Sequence, residues 1–220
     1  MIYLTGHGAF ANTFSKLHTS TIISIRNTDI FPQNVRVIHN SADINCISSE
    51  ENVSNFIKLI RLSKNNKIIL ISSMSVLSKF LTPYAESKLI CEKLANKLGC
   101  AIVRFSTIFY EDPKRDALSK MIYDAKTKGV ITIYGKGESC RDFMPIEIAC
   151  EEVYKINNGT HTVASGVKTS FIECANYVAK ETGAKIFYNG KEEKETIVDF
   201  DCYVKFDLKR YIKRYLNKLC

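Results

Sequence analysis

No Cys-x-x-Cys pair occurs among the eight cysteines of the 220-residue sequence, Cys46, Cys91, Cys100, Cys140, Cys150, Cys174, Cys202 and Cys220. Several of them sit inside apolar patterns, so free thiols are expected and a disulfide framework is not. The four histidines, His7, His18, His39 and His161, lack ligand spacing as well, and no metal site is expected. Long apolar runs are also missing: stretches such as Ile68 to Ile71 and Val130 to Tyr134 are far too short to span a bilayer. Met1 leads straight into Ile-Tyr-Leu-Thr-Gly without the basic stretch and apolar region of a signal peptide. A cytoplasmic protein without membrane insertion is therefore expected. No internal repeat or low-complexity segment is visible, so the organisation has to be read from alternating patterns.

What is present is an ordinary globular composition, 45% hydrophobic and 25% charged residues, enough for a proper core. The length suits one domain, or one domain with a small lobe, and not two full-size domains. A net charge of +8 suggests anionic partners: nucleic acid, an acidic surface or phosphorylated small molecules. The only dense basic segment, Lys205 to Lys218, interleaves lysines and arginines with Phe206, Leu208, Tyr211, Ile212, Tyr215 and Leu216. This is the pattern of an amphipathic helix that packs its apolar side on the body, and no nucleic-acid partner is expected from it.

Strands and helices alternate through the first half. The patterns predict strands over Ile2–Thr5, Thr21–Ile25, Val35–His39, Lys67–Ile71 and Ala101–Phe105. Helices are predicted over Ala9–His18, Glu50–Leu62 and Tyr84–Leu98. That order argues an α/β fold, a Rossmann-type doubly wound parallel sheet. After Asp112-Pro113 the character changes, which divides the chain into a first domain over 1–110 and a small lobe over 111–220, with some segments free to return to the first domain. The lobe is expected to hold a helix over Asp116–Lys128, a strand over Ile131–Tyr134, a helix beginning near Ile146, and a helix over Ser170–Thr182. Ser170 with Glu173 makes a capping box for the last of these.

Gly6-His7-Gly8-Ala9-Phe10-Ala11 fits G-x-G-x-x-G/A between the first strand and the first helix, where a dinucleotide-binding turn belongs. Gly6 permits the tight turn, Gly8 lets a pyrophosphate approach the backbone, and Ala11 permits close packing of helix on strand. The helix N-terminus offers N–H groups and a positive dipole end to the phosphates. About 20 residues past the first glycine, where the second strand ends, a ribose-reading side chain is expected; here it is Arg26. An arginine suits a 2′-phosphate and favours NADP over NAD, although Asp29 is placed to take a ribose hydroxyl.

The strand that begins at Lys67 ends in Ser72-Ser73-Met74-Ser75, and Tyr84-Ala-Glu-Ser-Lys88 follows. Tyr84 and Lys88, four apart on a helix, lie on one face. A tyrosine hydroxyl is a poor acid–base catalyst at neutral pH, but an adjacent ammonium favours the phenolate and draws its pKa toward the working range. Ser73, at the C-terminal end of a parallel strand, is placed to hold a substrate oxygen beside Tyr84.

In these motifs the chain resembles the extended short-chain dehydrogenase/reductase family, the NAD(P)-dependent epimerase/dehydratase group that acts mostly on nucleotide-linked sugars. Thr5 to Ala11 is similar to its glycine motif, and Val37-Ile38-His39-Asn40-Ser41-Ala42 to the strand whose end contacts the cofactor. Ile71 to Val76 and Tyr84 to Lys88 are similar to its active site. Val103 to Phe109 resembles the strand that passes the nicotinamide, and Ile133 to Gly137 with Arg141-Asp142-Phe143 the segment whose arginine contacts the nucleotide diphosphate. The resemblance implies Ser73, Tyr84 and Lys88 as catalytic residues. It implies cofactor contacts from Gly6, Gly8, Ala9, Phe10, Ala11, Arg26, Asn40, Ser41, Ala42, Ser72, Tyr84, Lys88, Phe105 and Ile108, and substrate contacts from Ser73, Thr107 and Arg141.

The chain departs from this family in being short. Residues 26–34 are too few for the usual helix, strand and helix, which implies a thinner wall on the adenine side. Met74 and Ser75 stand where dehydratases of the family carry an acidic pair, so dehydration is disfavoured. Reduction of a keto group on a nucleotide-linked sugar, a 4-ketoreductase serving surface polysaccharide synthesis, is the expected activity. A 4-epimerase with retained NAD is the alternative within the family, and a non-catalytic dinucleotide sensor is the alternative from another class. Helices Glu50–Leu62 and Tyr84–Leu98 resemble the pair through which relatives form homodimers, and a homodimer is expected.

Overall fold

A computed structural model describes residues 1–43, 45–190 and 202–219, together with the backbone but not the side chain of Cys202. Cys220 and the Cys202 thiol therefore lie outside the described residues, and the six remaining cysteines are free thiols. In chain order the elements are β1 (Ile2–Thr5), α1 (Ala9–Leu17), β2 (Thr21–Ile23), β3 (Arg36–His39), α2 (Glu50–Leu62), β4 (Lys67–Ser73), α3 (Pro83–Lys97) and β5 (Ala101–Phe105). There follow β6 (Thr107–Phe109), α4 (Ala117–Lys128), β7 (Val130–Ile133), β8 (Cys140–Arg141), β9 (Phe143–Pro145), α5 (Ile146–Lys155) and β10 (Thr160–Ala164). The last are β11 (Thr169–Ser170), α6 (Phe171–Thr182), β12 (Lys185–Tyr188), β13 (Cys202–Tyr203) and α7 (Leu208–Lys218).

The chain forms two compact units, one of Met1–Phe105 with Glu147–Val163, the other of Ser106–Ile146 with Ala164–Cys220. The division falls at Phe105–Ser106, a few residues before Tyr110, and α5 with most of β10 returns to the first unit.

In the first unit the parallel strands run in the order β10-β5-β4-β3-β1-β2. Alternate side chains of a strand point to opposite faces, and both faces here are apolar. Val37, Ile68, Leu70 and Ile102 form one buried cluster with Phe56 and Leu59 of α2 and Cys91 and Ala95 of α3. Val103, Phe105 and their neighbours in register occupy the other face, where Phe105 meets Phe10 of α1 at a ring distance of 6.4 Å. On that face the Cys150 thiol of α5 lies 3.8 Å from the Phe10 carbonyl. Helices thus cover both faces, as expected for a doubly wound sheet. Arg36 ties the C-terminal end of α5 to β3 by donating to the carbonyls of Tyr154, Val153 and Ile156 at 2.8, 2.8 and 2.5 Å.

The strand order reverses direction between β1 and β3, because β2 lies on one side of β1 and all later strands on the other. In such sheets a crevice opens at this switch point, outside the carboxyl ends of the strands. The expected strand over Thr21–Ile25 is shorter than its apolar pattern: β2 stops at Ile23, and Ile25–Asn27 wind into a single 3-10 turn before the chain runs on to β3. β2 is therefore an edge strand of three residues, and only this short turn and its flanking loop connect it to β3.

The second unit has its own core, in which Leu118, Met121, Ile122 and Ala125 of α4 pack with Cys174, Ala175 and Val178 of α6 and Ile212, Tyr215 and Leu216 of α7. The capping box of α6 is present, with the Ser170 hydroxyl accepting from Glu173 N–H and the Glu173 carboxylate accepting from Ser170 N–H at 2.7 Å. Three of the five α7 cations find acidic partners: Arg214 and Lys218 both pair with Glu111, and Lys213 lies 3.7 Å from Glu181. The basic C-terminal segment is thus a packed amphipathic helix. Among the described residues, no helix is long and apolar enough to cross a membrane.

Candidate active site

The turn after β1 is built around Gly6, whose φ of +101° lies in the region that favours glycine. A Cβ on Gly6 would lie 3.2 Å from Ser41 Cα, so the glycine turn and the segment after β3 meet closely. Gly8 caps α1 with extended backbone and no side-chain bond, leaving the first N–H groups of the helix available, and Ala11 is fully buried under it. His7 is exposed. Asn40 Oδ1 and Ser72 Oγ are buried atoms with no hydrogen-bond partner among the described residues. A buried polar atom without a partner is costly and calls for a ligand or water. A close-approach glycine, a free helix N-terminus and two orphaned polar atoms at the switch point are what a dinucleotide requires, and the residues present fit one.

At the carboxyl ends of β1 and β3 lies a buried polar cluster. His39, opposite Thr5 in the β1–β3 register, shares a 2.6 Å hydrogen bond between Nδ1 and Thr5 Oγ1. Burial first, and the Lys88 charge second, push His39 down to about 3, so it is neutral at pH 7. Asn52 of α2 donates to Ser87 Oγ of α3 at 3.2 Å and exchanges bonds with the Asp43 backbone at 2.8 and 3.0 Å, which joins the start of α2 to α3.

Lys88 is the charged member of the cluster. Its side chain is buried, and Nζ donates to the Ile71 carbonyl at 2.7 Å, two residues before Ser73. Burial lowers its pKa from 10.5 to about 8, with Cys91 and Glu92 pulling the other way. Nζ stands 5.8 Å from the centroid of the Tyr84 ring, the one-turn proximity that the spacing predicts. Thr82, whose hydroxyl accepts from Ala85 N–H at 3.2 Å, and Pro83 start α3 immediately before Tyr84.

Ser73 ends β4, and its hydroxyl oxygen accepts from Ser75 N–H at 3.2 Å and from Ser75 Oγ–H at 3.0 Å. A hydroxyl has two acceptor positions and one proton. With both positions occupied by Ser75, the Ser73 proton is left to be donated outward. Met74, between Ser73 and Ser75, is buried.

Arg26 sits in the turn after β2 and is paired with Glu51. Thr107, Ile108 and Arg141 belong to the second unit. There Thr107 N–H donates to the Asp142 carbonyl at 3.0 Å, and Arg141 donates to Ser139 Oγ and the Cys140 carbonyl at 3.1 and 2.8 Å while lying 5.7 Å over the Phe171 ring. Asp142 accepts from Ser165 N–H, Ser165 Oγ–H and Gly166 N–H at 3.0, 2.8 and 2.7 Å, which makes it a loop clamp.

Sequence reasoning places His39, Asn52 and Ser87 within or beside the motifs but gives them no role, and it passes over Glu51, because the pairing of these polar side chains is set by the fold and not by local pattern. Ser75 alone carries a signal, its place just after the Ser-Ser strand end.

No protein-family model matches the sequence, and no curated protein is similar to it by sequence. Solved structures match it throughout, 312 chains in all. ADP-L-glycero-D-manno-heptose-6-epimerase from Helicobacter pylori is 17% identical over 99% of this chain and 96% of its own, with a TM-score of 0.81. dTDP-glucose 4,6-dehydratase from Bacillus anthracis, solved with NAD, is 14% identical over 98% of this chain and 95% of its own, with a TM-score of 0.78. UDP-glucose 4-epimerase from Thermotoga maritima, solved with UDP-glucose, is 15% identical over 99% and 98%, with a TM-score of 0.77. The chain therefore has the Rossmann-type fold of these enzymes, the architecture that its motifs predict.

Proposed function

We propose that this protein is a nicotinamide-dinucleotide-dependent oxidoreductase that reduces the 4-keto group of a nucleotide-linked sugar, a step suited to surface polysaccharide synthesis. The observation that carries the reading is the triad itself: a buried Lys88 ammonium beside the Tyr84 ring, and a Ser73 hydroxyl whose proton Ser75 leaves to be donated. The nucleotide-sugar substrate class is supported by the fold neighbours and by the resemblance of the motifs.

Gly6, Gly8, Ala9, Phe10, Ala11, Asn40, Ser41, Ala42 and Ser72 would hold the dinucleotide, with Phe105 and Ile108 along its nicotinamide half. Bound there, the dinucleotide supplies the hydride. Ser73 donates its hydrogen bond to the carbonyl oxygen and polarises it. Tyr84 gives a proton to that oxygen, and the Lys88 ammonium stabilises the negative charge left on the phenol oxygen. Thr107 would touch the sugar, and Arg141 would meet the diphosphate. Arg26 is suited to the 2′-phosphate of NADP; its engagement with Glu51 bears on that preference. A groove on α2 and α3 is lined by half-buried Val53, Ile57 and Ile90 together with Ser49, Glu50, Ser54, Lys58 and Arg61; its three apolar members support a homodimer through these helices.

The test is to mix the protein with NADH or NADPH and a panel of UDP-, dTDP-, GDP- and CDP-linked 4-keto sugars, and to follow the absorbance of the reduced cofactor. Consumption that Tyr84→Phe abolishes is expected. No consumption with any sugar, or undiminished turnover in the variant, would sink the reductase reading. Tightly copurified NAD with epimerised product would point to the 4-epimerase instead, and dinucleotide binding without turnover to a sensor.

A further inference from the structure

Given the dinucleotide reading above, we infer that Glu51 is the residue that sets the cofactor preference, neutralising Arg26 so that the site favours a free ribose 2′-hydroxyl over a 2′-phosphate. The inference starts from the shortened edge of the sheet. Because β2 ends at Ile23 and only the 3-10 turn Ile25–Asn27 lies between it and β3, no α-helix or further strand of that connection covers the end of β2. Helix α2 covers it. Its Lys58 Nζ donates to the Arg26 carbonyl at 3.0 Å and lies 3.5 Å from Asp29 Oδ1, while Glu51 in its first turn pairs with the Arg26 guanidinium. α2 follows β3 and runs back antiparallel to it, so its N-terminal turn lies at the carboxyl edge of the sheet, the edge that carries Gly6 and Asn40.

The charges of this group cancel, with two cations, Arg26 and Lys58, against two carboxylates, Asp29 and Glu51. A ribose 2′-phosphate carries roughly 1.5 to 2 negative charges at neutral pH. Arriving at Arg26, it would find the guanidinium fork already serving a carboxylate and would face that carboxylate at contact range. A 2′-hydroxyl faces no such conflict, since the Glu51 carboxylate has acceptor positions left over for its proton. The Arg26 and Glu51 side chains are 58% and 57% exposed, so the pair contributes little to folding and each member can be replaced without collapse of the sheet edge.

Isothermal titration of the full chain with NADH and with NADPH tests this without any substrate. Wild type is expected to bind NADH at least as tightly as NADPH. Glu51→Gln is expected to tighten NADPH by about tenfold while leaving NADH unchanged or weaker, and Arg26→Ala added to it should erase that gain. A wild type that prefers NADPH, with a ratio that Glu51→Gln does not move, would overturn the role of Glu51 and leave the dinucleotide reading standing. Binding of neither cofactor would overturn both.

Discussion

Ser73, Tyr84 and Lys88 differ in how they are held, and the difference predicts how each fails. Lys88 is a buried ammonium that keeps its proton up to about pH 10.5 in the unfolded chain and only to about 8 when folded. Between those values the unfolded state binds the extra proton, so this residue makes stability rise with pH across that window. Lys88→Met should abolish turnover, yet between pH 7 and pH 10 the wild type should gain urea midpoint relative to the variant. Parallel midpoints would show that Lys88 is not desolvated. Ser75 acts through Ser73, so Ser75→Ala should lower kcat by about tenfold with KM little changed. Ser75→Thr, which keeps a donor, should restore most of it, whereas equal losses in both variants would reduce Ser75 to a packing residue.

At the scale of elements, local signals decide how far the sequence can be read. The α6 capping box, the Pro83 start of α3 and the apolar period of α2 are all written in short windows, and the structure places those helices within a residue or two of expectation. Tertiary pairing is written nowhere locally. β10, with exposed Thr160 and half-buried His161 before Val163 and Ala164, carries no strand signature of its own and becomes a strand by joining β5. β2 is overestimated for the opposite reason: Ile25 is apolar because it is buried against α2 and its neighbours, not because the strand continues. Asp142 was legible only as part of a motif, and its three accepted hydrogen bonds give it a structural weight of its own. Asp142→Ala should cost about 2 kcal/mol of stability by leaving Ser165 and Gly166 donors unpaired, read as a lowered urea midpoint. An unchanged midpoint would mean that the 165–166 loop is held by other contacts.

For the whole molecule, the short chain keeps a complete Rossmann-type sheet up to β2 and loses what would lie beyond it. The candidate triad survives this loss because its parts come from β4 and α3, on the retained side, and only the edge beyond β2 is covered differently, by α2. The same helix is half of the proposed dimer face. Light scattering should give twice the monomer mass of 24.9 kDa, and Ile57→Lys should return the protein to monomer; a wild-type monomer would remove the dimer from the account. The central claim, that Ser73, Tyr84 and Lys88 reduce a sugar ketone, is tested most directly by deuteride transfer. Turnover of a nucleotide-linked 4-keto sugar with reduced cofactor deuterated at its nicotinamide C4 should yield product one mass unit heavier, with the label on the former carbonyl carbon and none formed by Tyr84→Phe. Product without the label, or label transfer that persists in the variant, would contradict it.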